Sequence, residues 1–204
     1  MRLNFWLIIS LITPLGSAFS QNKELSYSKK LTLLAGLSQP LFLKGANLAV
    51  TYTTNRLIFE YSHGINLNYS EVLSSDYKDN VLSIKSPYST GAGLGYRFFA
   101  NQKLGMDLRA EAKIHSYEVK LNSKQFTKYI NLDLGGGLYW QYHPFGKRTN
   151  GMEGIVIEPS IRYWANVKSS LKENYSYKTN DGRSLTHKPY PLNLFANISI
   201  GFTF

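Results

Sequence analysis

The chain ends with the sequence LNLFANISIGFTF, residues 192–204, in which apolar and polar side chains alternate. Because successive side chains of a β-strand point to opposite faces, one face of this segment is apolar along its whole length. The other face is small or polar apart from Phe195. The pattern predicts a long strand with one face against an apolar medium. The apolar face consists of Leu192, Leu194, Ala196, Ile198, Ile200, Phe202 and Phe204.

The first twenty residues have the layout of a secretory signal peptide. Arg2 precedes an apolar stretch over residues 5–15, and Ala18 and Ser20 supply small residues before Gln21. The apolar stretch is too short for a transmembrane helix. We therefore expect a leader over residues 1–20 and one exported domain over residues 21–204. The chain has no Cys, which excludes disulfides, thiolate chemistry and Cys-based metal sites.

The expected domain reads as eight strands whose connections alternate between long and short. Gly, Asn and Pro mark most of the junctions. The longer connections are expected at residues 39–45, 68–89, 118–128 and 166–191. The strands themselves are expected at residues 30–38, 46–53, 57–67, 90–99, 104–117, 129–143, 154–165 and 192–204.

The fifth of these strands shows the environment most clearly. One of its faces is apolar from Leu104 to Ile114, and the other carries Asp107, Arg109 and Lys113. The third strand repeats the pattern, with Leu67 on its apolar face. A soluble sandwich or lipocalin-like barrel would turn the charged face to water, whereas a membrane barrel would turn it inward. The even strand number, the alternating loop lengths and the leader favour an antiparallel up-and-down transmembrane β-barrel.

The sequence resembles the small eight-stranded outer-membrane barrels of Gram-negative bacteria, the family of the outer-membrane protein A transmembrane domain. The closing strand is the most specific element, because it ends on an aromatic residue after alternating apolar ones. The resemblance implies that the outer-membrane assembly machinery recognises this strand, and that the long loops face outside. Pro159 departs from the pattern, so we expect a bulge there or a lost hydrogen bond facing the lumen. The implied assembly signal comprises Ile198, Ile200, Phe202 and Phe204.

The predicted lumen face carries nearly balanced charge, which indicates a packed ion-pair network rather than a conducting pore. Glycines on the fourth and sixth strands leave room for long side chains, and we expect Gly95 near Arg109 and Gly93 near Glu111. His115 and His143 lack the partners of a metal site. The expected network comprises Glu60, Arg97, Asp107, Arg109, Glu111, Lys113, Asp133, Glu158 and Arg162.

The net charge of +10 is concentrated in the predicted outer loops. Fixed cations there would attract the phosphates of lipopolysaccharide, although solvated loops explain the same pattern. Scattered charge and the absence of a groove-entering helix argue against nucleic-acid binding. The candidate lipopolysaccharide contacts are Lys120, Lys124, Lys128, Lys168, Lys172, Arg183 and Lys188.

Three classes of function follow from these patterns. The first is a non-enzymatic, cofactor-free and monomeric outer-membrane barrel with a structural or surface-interaction role. The second is a porin-like channel for a small solute or for hydrophobic cargo. The third is an outer-leaflet lipid-modifying enzyme, for which His63 with Ser70 and Glu71 would be the candidates. No nucleophile motif surrounds His63, so an interfacial His beside Tyr61 is the simpler interpretation.

Overall fold

The computed structural model describes residues 29–70, 82–101, 103–121, 124–146, 152–171, 175–178, 182, 184–187 and 193–204. The expected leader, residues 1–20, lies outside these segments. No helix in them is long and apolar enough to cross a membrane.

The described chain consists mainly of long antiparallel strands with one short helix. The helix, α1, covers Ser38–Phe42 within the first of the expected loops. The strands are β1 Lys30–Gly36, β2 Ala46–Thr54, β3 Leu57–Asn68, β4 Leu82–Ala100, β5 Leu104–Leu121, β6 Lys124–Tyr142, β7 Ile155–Ser169, β8 Tyr175–Lys178, β9 Ser184–His187 and β10 Leu194–Thr203.

Eight of the strands close into one barrel in the order β1-β10-β7-β6-β5-β4-β3-β2. Every neighbouring pair is antiparallel, and β1 closes the ring by pairing with β10 from Thr32↔Thr203 to Gly36↔Ser199. The expected eight-stranded up-and-down barrel is therefore confirmed. We call the end with residues 55–56 and 101–103 the turn end, and the opposite end, which contains α1, the loop end.

The barrel inverts the usual distribution of polarity. Its buried side chains include the charged residues of the inner face, and Arg109 is only 1% exposed. Its exposed side chains include large apolar residues on every strand of the ring, such as Leu108, Leu94 and Ile198. Small numbers of exposed apolar residues are ordinary in soluble proteins, but a continuous apolar exterior around a charged interior is not.

Near the loop end this polarity reverses, so that the inner face becomes apolar. The outward direction predicted for Leu67, at the end of the third strand, is therefore wrong. Asn66 has a positive φ of 54°, and Leu67 beyond it points into the barrel, with 4% of its surface exposed. Opposite Asn66, β4 changes phase at Pro87, where its register with β5 shifts between Lys85 and Ser89. Leu67 therefore belongs to the inner face rather than to the apolar exterior.

Beyond Asn66 and Pro87 the paired strands continue towards the loop end. We call this part of the barrel, whose inner face is apolar, the strand wall. The expected loop over residues 68–89 is partly strand, because β4 begins at Leu82 and pairs there with Leu121. The expected loop over 118–128 is also wrong, since β5 and β6 remain paired up to Leu121↔Lys124. The expected 166–191 loop contains the end of β7 and the hairpin β8–β9. An inner cluster fills this wall: Leu43, Leu67, Tyr69, Leu82, Ile84, Tyr117, Val119 and Tyr129.

Pro159 does not produce the expected bulge. It pairs with Ile198 of β10 in a register that continues from Leu194↔Tyr163 to Phe202↔Ile155. The side chains of Glu158 and Ser160 on either side of it are buried, so Pro159 lies on the outward face. The missing N–H is accommodated without a change in strand phase.

Candidate functional site in the barrel interior

Arg109 lies at the centre of the interior and binds carboxylates from three strands. Its guanidinium contacts Glu60 Oε2 at 2.5 Å, Glu158 Oε2 at 2.7 Å and Asp107 Oδ2 at 2.9 Å. It also stacks on Tyr139, with 3.9 Å between Cζ and the ring centroid. These groups fill the barrel at this level, because eight strands enclose a space that side chains can just occupy.

A second arginine extends the cluster towards the turn end. Arg97 donates to both oxygens of Asp107, at 2.7 and 3.0 Å, and to Gln141 Oε1 at 2.5 Å. Gln141 in turn donates to Glu158 Oε2 at 2.7 Å. Asp107 thus bridges the two arginines, and five of the expected network residues form one connected group. Gln141 is not among the predicted network residues, although the alternation of the sixth strand places it on the same face as Asp133.

Three more of the predicted network residues lie next to this group: Lys113 pairs with Glu111, whereas Arg162 has no carboxylate partner among the described residues. Lys113 Nζ lies 3.4 Å from Glu111 Oε2, which also accepts a hydrogen bond from Trp164 Nε1 at 3.2 Å. The Tyr139 hydroxyl donates to the other oxygen of Glu111. Arg162 is buried but forms no ion pair with a carboxylate of the described residues.

Asp133 and His115 form a separate pair nearer the loop end. Their Oδ2 and Nδ1 atoms are 2.6 Å apart, and Asn166 Nδ2 donates to Asp133 Oδ1 at 2.9 Å. Among the described residues, no cluster of His, Asp or Glu could hold a metal ion. His115 stacks on Tyr117 rather than reaching a second ligand of that kind.

Glycines on β4 create the room for these long side chains, as expected. Gly95 pairs with Arg109 and Gly93 with Glu111 across the β4–β5 ladder. A Cβ atom at position 95 would lie 2.6 Å from Arg109 Cγ and 3.0 Å from the backbone oxygen of Leu108. The absence of that atom is what allows Arg109 to cross the interior.

Near the loop end, a residue that follows α1 and a residue of the β8–β9 hairpin are buried among the inner side chains. Leu43 follows α1 and is 1% exposed within the apolar cluster. His187 of β9 lies against Tyr129, with 3.0 Å between its Nε2 and the tyrosine hydroxyl. Burial lowers the pKa of His187 from its ordinary 6.5 to about 4. No role was predicted for His187, because nothing in the surrounding sequence distinguishes it from a solvated loop residue.

Of the residues of the enzyme alternative, the structure describes Ser70 and His63, and no hydrogen bond joins these two side chains. Ser70 Oγ accepts a hydrogen bond from the Ile84 N–H at 3.0 Å and lies 3.3 Å from Ser83 Oγ, so it is part of the strand wall. His63 Nδ1 is buried with no hydrogen-bond partner among the described residues. Glu71 lies outside them.

The candidate lipopolysaccharide contacts divide into four groups. Lys120 and Lys128 stand on the strand wall, and Lys128 Nζ is 2.5 Å from Glu118 Oε1. Lys168 is exposed near the end of β7. Lys124 is the first residue of β6, where the structure describes its backbone only. Outside the described residues are Lys172, Arg183 and Lys188.

The closing strand has the two faces expected of it. Ile198 and Ile200 are exposed on the outside, and Phe204 is 68% exposed beyond the end of β10. Asn197 and Ser199 are buried on the inner face. Phe195 points inward against the apolar cluster and lies 6.4 Å, ring centroid to ring centroid, from Trp164.

No protein-family model and no curated protein sequence matches the chain. Solved structures of similar architecture are small outer-membrane proteins. Neisserial surface protein A (NspA) is 16% identical, with a TM-score of 0.48 over 86% of this chain and 93% of that one. Ail, the attachment invasion locus protein of Yersinia pestis, is 14% identical, with a TM-score of 0.47 over 87% and 99%. A major outer membrane protein from Thermus thermophilus is 10% identical, with a TM-score of 0.46 over 86% and 98%.

Proposed function

We propose that the chain is an integral outer-membrane barrel with a closed interior and a structural or surface-interaction role. One observation carries the proposal: the charged groups are buried inside the ring while the large apolar side chains are exposed around it. In water such an exterior would drive aggregation, whereas in a bilayer it is the lipid-facing surface.

The height of the apolar exterior fits a membrane. On β5 the outward positions are apolar from Met106 to Ile114 and become polar at Ser116 and Glu118. Nine residues of a tilted strand rise about 20–25 Å, close to the ~25 Å band of outer-membrane barrels. Exposed aromatic residues lie near both limits of the band, as interfacial girdles do, with Tyr96 and Tyr142 towards the turn end and Tyr61 and Tyr88 towards the loop end.

Fractionation combined with a heat-modifiability gel tests this proposal. We expect the protein in the outer-membrane fraction, and we expect unboiled and boiled samples to migrate differently, because a closed hydrogen-bonded barrel resists detergent until heated. Recovery in the soluble fraction with a single unshifted band would refute the membrane assignment.

The filled interior supports a non-conducting barrel. Arg109, Tyr139 and Glu158 are each at most 1% exposed and lie across the middle of the lumen. Planar-bilayer recordings of the refolded protein should therefore show no steady ohmic steps. Such steps would favour the channel alternative and contradict the closed interior.

Cations on the wall beyond the apolar band support a second proposal, that the outer surface contacts lipopolysaccharide phosphates. On neighbouring strands Lys85 pairs with Glu118, and Glu118 pairs with Lys128, while Lys120 lies two residues further along β5. Lys85 and Lys128 thus lie on either side of the Glu118 carboxylate, just above the expected lipid surface. Positive charge at this level would attract the anionic head groups.

Stability measured with and without lipopolysaccharide tests this second proposal. The double variant Lys120→Gln/Lys128→Gln should lose most of any rise in Tm that lipopolysaccharide gives to the unmodified protein. The control is Lys103→Gln, an exposed cation at the turn end, which should keep the full rise. An equal rise in both variants would assign these lysines to ordinary solvation.

We also propose that the barrel is non-enzymatic and that its closing strand is an assembly signal. His63→Ala should leave lipid A mass spectra unchanged, and a changed spectrum would favour the enzyme alternative. For the signal, Phe204→Ser should reduce the inserted fraction in cells while refolding in detergent stays near that of Tyr96→Ser, an aromatic change elsewhere on the exterior. Equal insertion of the two variants would argue against recognition of the strand end.

A further inference from the structure

The half of the interior nearest the loop end contains a chamber that side chains do not fill. It lies between the Arg109 cluster and the apolar cluster, and the volume open to the centres of water-sized molecules is ≈ 40 Å³. That is room for about three waters, or for one small ion with a water beside it. Arg162, Lys113 and Asp133 supply its charged lining, and His115 lies in the lining beside Asp133.

Arg162 faces this chamber without a counterion of its own. It is 4% exposed, and its one hydrogen bond within the described part of the chain runs from Nε to Ser160 Oγ at 3.0 Å. Its Cζ atom lies 4.9 Å from the centroid of the Tyr139 ring. Arg97 and Arg109, by contrast, each bind carboxylates directly.

The carboxylates around Arg162 are engaged by other groups. Glu60 and Glu158 bind Arg109. Glu111 accepts from the Tyr139 hydroxyl and from Trp164 Nε1. Asp133, which lines the chamber, is held by His115 and Asn166. Their attraction still reaches the guanidinium, but none provides it with a direct partner.

Lys113 adds a second, loosely neutralised cation to the chamber lining. Its ammonium lies 3.4 Å from Glu111 Oε2, longer than a good charge-assisted hydrogen bond, and 4.5 Å from the Trp164 ring centroid. Burying a cation without a close partner costs several kcal/mol, so Arg162, with the loosely paired Lys113 beside the same space, favours an anionic occupant.

We propose that this chamber binds one small monovalent anion of the halide class between Arg162 and Lys113. A water beside the anion would donate to Gln39 Oε1, which is buried at the chamber wall and has no hydrogen-bond partner among the described residues. The anion would give Arg162 the direct counterion that no carboxylate of the described residues provides. Its binding is separate from the membrane role proposed above and requires only the folded barrel.

Trp164 lines the chamber and provides the reporter for a test. The chain has three tryptophans, and Trp6 lies in the expected leader, so Trp140→Phe leaves Trp164 as the one tryptophan of the domain over residues 21–204. Iodide added at constant ionic strength should quench its fluorescence saturably, with the excited-state lifetime unchanged, since a bound quencher acts statically. Adding Arg162→Gln should weaken the saturable component at least tenfold. Lys168→Gln, which removes an exposed cation from the same strand, should leave it intact.

The heat-modifiability gel verifies that each variant is folded before quenching is compared. Linear quenching that is the same with and without Arg162 would overturn the proposal, as would saturable quenching by caesium instead of iodide. Crystals of the unmodified protein soaked in bromide give a test that needs no variant. An anomalous peak beside the Arg162 guanidinium supports the anion, and a chamber with water alone refutes it.

Discussion

Among single residues, Arg109 is expected to contribute most to stability, because it joins three carboxylates in a buried space. Removing it leaves Glu60, Glu158 and Asp107 with one cation, Arg97, which contacts Asp107 alone among the three. Breaking a buried ion pair from one side typically costs ~3–5 kcal/mol. The cluster therefore depends on the simultaneous presence of all its members.

We expect Arg109→Met to lower the free energy of unfolding in detergent by ~3–5 kcal/mol, measured by urea titration. The control is Arg56→Met, because Arg56 is exposed and its guanidinium reaches only the Tyr96 hydroxyl, at 3.1 Å, among the polar groups of the described residues. That change should stay within ~0.5 kcal/mol. Similar losses in both variants would mean that the interior cluster contributes no special stability.

The glycines opposite the network give a graded prediction. Gly95→Ala places a Cβ 2.6 Å from Arg109 Cγ, whereas the nearest atoms to a Cβ at Gly93 are 3.1 and 3.3 Å away. Overpacking of this kind costs ~1–3 kcal/mol. Gly95→Ala should therefore destabilise the barrel more than Gly93→Ala in the same urea titration. The reverse order would show that Arg109 moves aside more easily than Glu111.

Among the elements, β3 and β4 show what the sequence could and could not predict. The stretches with an apolar outer face, such as 57–65 and 104–114, were located from alternation alone. The failures lie beyond Asn66 and Pro87, where the apolar residues Leu67, Leu82 and Ile84 point inward. In these segments the apolar side chains point inward and the polar ones outward, as in a soluble β-protein. Because the surrounding sequence is polar, the segments were predicted to be loops.

The ion pairs show a similar limit at the level of the site. Strand phase identified which residues face inward, because every second residue of a strand lies on one side. It did not predict that Arg109 would take three carboxylates and Arg162 none. That partition depends on side-chain reach and on Tyr139 and Gln141, whose hydrogen bonds engage Glu111 and Glu158.

The change of phase in β3 predicts an unusual substitution tolerance at Asn66. A φ of 54° is accessible to Gly and Asn but strained for a β-branched residue. We expect Asn66→Gly to be nearly neutral and Asn66→Val to cost ~1–2 kcal/mol in urea unfolding. Equal stability of the two variants would mean that the change of face between Ile65 and Leu67 does not require a left-handed residue at position 66.

The β8–β9 hairpin should respond to acid through His187. Its pKa of about 4 means that the folded state keeps the imidazole neutral, whereas the undocked chain takes up a proton near 6.5. Hairpin docking is then most stable above pH 6.5 and weakens as the pH falls towards 4. The protection factors of the amides of residues 184–187, which are exchange rates corrected for the pH dependence of intrinsic exchange, should fall over that range. In His187→Phe this fall should disappear, and its persistence would assign the effect to another group.

At the scale of the whole molecule, the lipid-facing exterior can be tested by introducing a single charged residue on it. Ala110 lies in the middle of the outward apolar run of β5, and Ser116 lies just beyond it. In a bilayer, Ala110→Arg should destabilise by ~2–4 kcal/mol and Ser116→Arg by ~0–1 kcal/mol. The measurement is urea unfolding from lipid vesicles. Equal, small effects at both positions would mean that the exterior faces water.

The reversal at Asn66 and Pro87 also has an evolutionary consequence. Below it, each outward position must remain compatible with hydrocarbon, which leaves few acceptable substitutions. Above it, in the orientation proposed here, the outward positions face water and the inner apolar cluster supports the fold. We therefore expect the sequence to diverge faster in the part above the reversal than in the lipid-facing part below it.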